Sequence, residues 1–118
     1  MQTHKDLDIW KRGIKLVTQV YSFTSKFPCE ELYGLVSQMR RAAVSFPSNI
    51  AEGAARNTKA DYTRFVYIAL GSLSELETQV IISKNLGYAS DTDITEDIDI
   101  LRKMTIGFIK HLKSRNER

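Results

Sequence analysis

Apolar residues recur every three or four positions almost from end to end of this chain, and that spacing admits little besides packed α-helices. β-Branched alternation is nowhere sustained, and two prolines and six glycines punctuate 118 residues only sparingly. No internal repeat, low-complexity tract or long linker interrupts the pattern. The expectation is one compact domain over residues 1–118, large enough to need no metal or disulfide staple.

The punctuation divides the chain into four helices. The first runs roughly from Leu7 to Lys26, capped by Asp6 or Thr3, and Phe27-Pro28 ends it. It carries two apolar stripes side by side: Leu7, Trp10, Ile14, Val17 and Tyr21, then Ile9, Leu16, Val20, Phe23 and Phe27. The second begins near Cys29, with Glu30 and Glu31 in its first turn, and fades near Ala55. Leu32, Leu35, Met39, Ala43, Phe46 and Ile50 form its inner face, and Pro47 predicts a kink. Thr58 and Asp61 open the third in a capping-box-like arrangement, and Gly87 suits a left-handed stop. The fourth starts around Asp93 to Thr95, acidic at its beginning (Asp91 to Asp99) and basic at its end (Lys110 to Arg115), as the helix dipole favours. Short connections make sequential helices antiparallel neighbours. The fold class is therefore all-α, an up-down-up-down four-helix bundle. Its expected core includes Leu35, Met39, Phe46, Phe65, Leu73, Leu76, Leu101 and Phe108.

Tyr67, Leu70 and Ile81 point away from the third helix's inner face, and Tyr33, Val44, Ala51 and Ala55 away from the second's. From Tyr62 to Asn85 the charged residues are Arg64, Glu75, Glu77 and Lys84 alone, so the third helix is apolar nearly all round. That predicts self-association through the second and third helices.

Chemistry is sparse. His4 and His111 follow no glutamate at di-iron spacing and Cys29 is isolated, so no metal or cofactor is expected. A nucleophile would need a placed base, and the two histidines lie near opposite ends of the sequence. Gln38, Arg41, Ser45, Asn49, Glu52 and Arg56 form a polar seam on the second helix, with Glu75 and Gln79 as counterparts on the third. A structural network, in which Arg41 or Arg56 pairs with Glu52 or Glu75, explains that seam better than acid–base catalysis. No catalytic residue is assigned.

Net charge is +3, but residues 1–60 hold nine basic and five acidic residues, so the basic excess sits in the first half. Lys11, Arg12 and Lys15 on the first helix, and Arg40 and Arg41 on the second, are the candidate contacts to nucleic acid. A solvated charged face is the plainer reading of the same residues, as it is for the tail from Lys110 to Arg118. No interleaved aromatic platform for single strands is evident. The lone cysteine suits a reducing cytoplasm. No apolar signal core, and no span of the ~18 apolar residues that a membrane helix requires, is expected.

Several stretches resemble a known family. They are Asp6-Leu7-Asp8-Ile9-Trp10, then Phe27-Pro28 with Glu31-Leu32-Tyr33-Gly34-Leu35, and above all Gln38 through Gly53 with its Ser45-Phe46-Pro47-Ser48-Asn49-Ile50-Ala51-Glu52-Gly53 core. Ala69 through Thr78 follows in register. Together they resemble the four helix bundle protein family encoded in ribosomal RNA intervening sequences, also called the S23 ribosomal protein family. That family is similar to the accessory variability protein of diversity-generating retroelements. The resemblance implies a ring-like homopentamer without enzymatic activity. In the retroelement branch it implies binding to RNA or DNA and to a reverse transcriptase. Arg40 and Arg41 fall on matching basic positions, and Phe46 stands where the family often has Ile or Val. The expected function is thus a non-enzymatic oligomeric module that binds structured nucleic acid, or alternatively an oligomeric protein-binding adaptor.

Overall fold

The computed structural model describes residues 3–90 and 93–116. Asp91 and Arg118, and the side chain of Arg115, lie outside the described residues. Helix α1 spans Asp8–Thr24, α2 Leu35–Ala54, α3 Lys59–Asn85 and α4 Asp93–Asn116, packed as an all-helical bundle of 51 × 20 × 20 Å. Packing runs α1 on α2, α2 on α3, α3 on α4, and α4 back on α1. Cross-helix contacts progress in opposite senses: Ser45 meets Ser72 while Met39 meets Ser83, and Lys84 meets Thr95 while Glu77 meets Arg102. By these contacts α2 and α3, and α3 and α4, run antiparallel.

Local chemistry sets the boundaries. Thr3 and Asp6 cap each other within a short 3-10 turn, His4–Asp6. Neither caps α1, whose N-cap position falls to Leu7 with no side-chain bond. A second 3-10 turn, Cys29–Glu31, delays α2 to Leu35 and leaves Leu32 exposed, contrary to its expected inner position. The Thr58 side chain accepts the Asp61 N–H at 3.1 Å to open α3. Gly87, at φ 77°, closes it: Gly87 N–H donates to Lys84 C=O and Tyr88 N–H to Ser83 C=O, a Schellman turn. Tyr88 then packs on Phe27 and donates its hydroxyl to Glu31 Oε2 at 2.7 Å, tying both loops of that end together.

Met39, Phe46, Leu73, Leu76 and Leu101 are buried as expected. Leu35, Phe65 and Phe108 are only half-buried, Leu35 and Phe108 packing against the margin of the core. Of the two stripes on α1, the bundle buries Ile9, Leu16, Val20, Phe23 and the following Phe27, and leaves Ile14 and Tyr21 exposed. Gly13 lies against Phe46, whose ring occupies the space a side chain would need, 2.7 Å from the would-be Cβ.

By length and composition α3 is also apolar enough to cross a membrane, contrary to the expectation of no such span. The inner part of that apolarity, Val66, Ala69, Leu73, Leu76 and Val80, lines the core. The excess faces outward as Tyr67, Ile68, Ile81 and Ile82, while Leu70 is half-buried instead of outward.

Candidate nucleic-acid interface

The five basic candidates separate onto two flanks of α1. Lys11, Arg12 and Lys15 are exposed within one turn of helix. Arg12 and Lys15 border a shallow recess towards α4, floored by Leu16 and Leu101, where Gln19 Nε2 donates to Asp97 Oδ2 at 2.6 Å. The ion pairs among the described residues are Arg56–Glu52, Arg64–Asp61, and Arg102 with both Glu77 and Asp99; none involves Lys11, Arg12 or Lys15.

Arg40 and Arg41 lie on the α2 side. Arg40 is half-buried: Nε donates to Thr24 Oγ1 at 3.0 Å, Nη2 to Tyr21 C=O at 3.5 Å, and the guanidinium sits 4.4 Å from the Tyr21 ring centre. Arg41 is exposed and has no ion pair among the described residues.

The polar seam does not form one network. Ser45 and Ser72 hydroxyls meet at 2.8 Å between α2 and α3, and Asn49 Nδ2 donates to Ser45 C=O at 2.8 Å and Oγ at 3.0 Å. Glu52 pairs with Arg56 at 2.8 Å, one turn apart at the surface. Gln79 Nε2 reaches Glu75 at 3.5 Å, while its buried Oε1 has no partner among the described residues. Arg41 pairs with neither Glu52 nor Glu75, and Gln38 stays exposed. The reason is reach: Arg41 and Glu52 share a face but stand eleven residues apart, about 16 Å along a helix. Small residues join α2 to α3 here, not charges.

Among the described residues no group of three His, Cys, Asp or Glu side chains could hold a metal ion. The α1–α2 seam, by contrast, is marked by two adjoining recesses that share Val44. One is apolar, around Trp10, Ile14, Val17 and Pro47; the other gathers Tyr21, Tyr33, Arg40 and Arg41. Sequence reasoning missed the second because its members come from α1, the turn before α2, and α2 itself. The one available signal was Tyr33 on the outward side of the second helix.

No curated protein matches the chain. Residues 5–107 match the 23S rRNA-intervening sequence protein family, a span from the first 3-10 turn into α4. The chain therefore belongs to the 23S rRNA-intervening sequence protein family.

Proposed function

We propose that the chain is a non-enzymatic, oligomeric helical module that binds structured nucleic acid, RNA foremost. One observation carries this reading: Lys11, Arg12 and Lys15 stand together, exposed, on one flank of α1, outside the ion pairs found among the described residues. Three exposed cations this close together meet phosphates through charge and leave base edges unread, although Asp97 borders the recess beside Arg12 and Lys15. The family's name, which links it to a ribosomal RNA gene, turns the reading towards RNA. Oligomerisation multiplies the effect, because a closed ring repeats each cluster around one axis. Two apolar faces support assembly: the Trp10–Ile14 recess between α1 and α2, and outward Tyr67, Ile68, Ile81 and Ile82 on α3. Two different faces on one subunit suit head-to-tail contacts, which form a ring when the rotation between subunits closes.

The test is titration of labelled structured RNA and duplex DNA at low and moderate salt. Each neutralised duplex phosphate contributes about −0.9 to the slope of log affinity against log salt. Replacing Arg12 and Lys15 with Ala should flatten that slope by roughly 2 for every subunit engaged, with helicity and oligomer mass unchanged. No binding to either probe at low salt refutes the reading. The same apolar faces would then favour a protein-binding adaptor, with a reverse transcriptase among its candidate partners.

A further inference from the structure

We infer that the groove between α1 and the start of α2 is a stacking site for an unpaired nucleotide, with Tyr33 as its platform and Arg40 and Arg41 as its phosphate contacts. The inference rests on the nucleic-acid reading above and names a different substrate class, bases outside a duplex.

The groove holds about 470 Å³, within the roughly 300–1,000 Å³ of small-ligand sites, and its walls include Tyr21, Leu32, Tyr33, Arg40, Arg41 and Val44. No carboxylate lines it, so two guanidinium groups face it uncompensated. That charge separates it from the adjoining Trp10 recess, which contains no Lys or Arg. A second copy of the chain, offering apolar α3, fits the Trp10 recess; an anionic partner with flat apolar faces fits this one.

Tyr33 is 92% exposed, the most open of the exposed large hydrophobic side chains. It stands in the turn before α2, where Gly34 occupies the N-cap without a side-chain bond. Glu31 Oε1 accepts the Leu35 N–H at 3.2 Å. Arg40 is held in place: its Nε and Nη2 are engaged by Thr24 and Tyr21, which leaves the Nη1 donors for a phosphate. Its stacking on Tyr21 fixes the guanidinium plane before any ligand arrives. Cationic walls beside an open ring are how sequence-tolerant single-strand sites are built.

The test uses the full chain with a fluorescein-labelled twelve-nucleotide oligouridine and a twelve-base-pair RNA duplex, followed by anisotropy. Tyr33→Ala should weaken oligouridine binding about tenfold, the order of one base stack, and leave duplex binding unchanged. Tyr33→Phe should bind like the parent, since the ring and not the hydroxyl stacks. Arg41→Ala should reduce the oligouridine salt slope by about 0.7 for each phosphate lost. Because Tyr33 is so exposed, its truncation leaves the core intact, and sedimentation of each variant verifies this. Parental affinity of Tyr33→Ala for oligouridine overturns the inference, as does a smaller oligomer mass in that variant, which would mean a second copy covers the groove. Duplex binding without any oligouridine binding defeats this inference alone. Absence of binding to both probes defeats the nucleic-acid reading with it.

Discussion

Replacing Gly13 with Ala sets two effects of opposite sign against each other. In an exposed helix interior the change stabilises by about 0.8–1.0 kcal/mol, the propensity difference between Gly and Ala. At Gly13 the new methyl would stand 2.7 and 2.9 Å from two carbons of the Phe46 ring, inside the 3.4 Å edge of ordinary contact. Phe46 is 0% exposed, so the ring cannot retreat into solvent and must displace its neighbours. Overpacking of that kind costs about 1–3 kcal/mol, and its midpoint exceeds the propensity gain. The expected net loss is about 1 kcal/mol. Gly71 and Gly107 provide the controls, because a Cβ at either meets nothing within 4 Å. Gly71→Ala and Gly107→Ala should therefore gain several tenths of a kcal/mol each. Urea unfolding at one fixed protein concentration reads the difference as a shift in midpoint at constant slope. If Gly13→Ala unfolds at the same urea concentration as Gly71→Ala, the close approach of α1 to Phe46 is wrong.

Leu76 is 0% exposed, and Leu76→Ala should cost about 2–5 kcal/mol by urea unfolding; a loss below about 0.5 kcal/mol would contradict a packed site. Arg102, which joins Glu77 on α3 to Asp99, is about three-quarters covered, so Arg102→Met should cost no more than about 1 kcal/mol. That cost should shrink in 1 M salt, and equal costs at both salt levels would assign it to packing. The Glu31 carboxylate accepting its hydroxyl, with burial adding, raises the Tyr88 phenol above its ordinary 10.0. As pH rises past that value the unfolded chain loses the proton first, so stability is full below it and falls above it. Tyr88→Phe should lessen the fall, and identical pH profiles between pH 9 and 12 would exclude Tyr88 as its source.

Helix type and order were legible because they depend on local spacing, and so were the Thr58 and Gly87 boundaries, where one side chain or one backbone angle decides. The choice between the two stripes of α1 was not local. Both satisfy helical periodicity, and only the positions of α2 and α4 determine that Leu16 goes in while Ile14 stays out. The polar seam was legible in part: of the pairings it offered Arg56–Glu52 forms, one turn apart, whereas Arg41 and Glu52 share an azimuth without sharing reach. The Tyr33 groove was legible only as separate members, outward Tyr33 and basic Arg40 and Arg41, since Tyr21 and Arg40 touch across nineteen residues that carry no common motif.

The Tyr88–Glu31 tie closes one pole of the bundle, and His4 and Lys113 lie towards the other. His4 packs on Trp10 in the recess that reaches Ala51, and Lys113 lies over Tyr67, both towards the α2–α3 turn. A tether attached beyond either of these residues would hold the molecule by that pole. With a long axis of 51 Å, a surface-immobilised bundle would then present Tyr33 outward, away from the support. Attachment through that pole leaves the groove open to solution and places the α2–α3 turn against the surface.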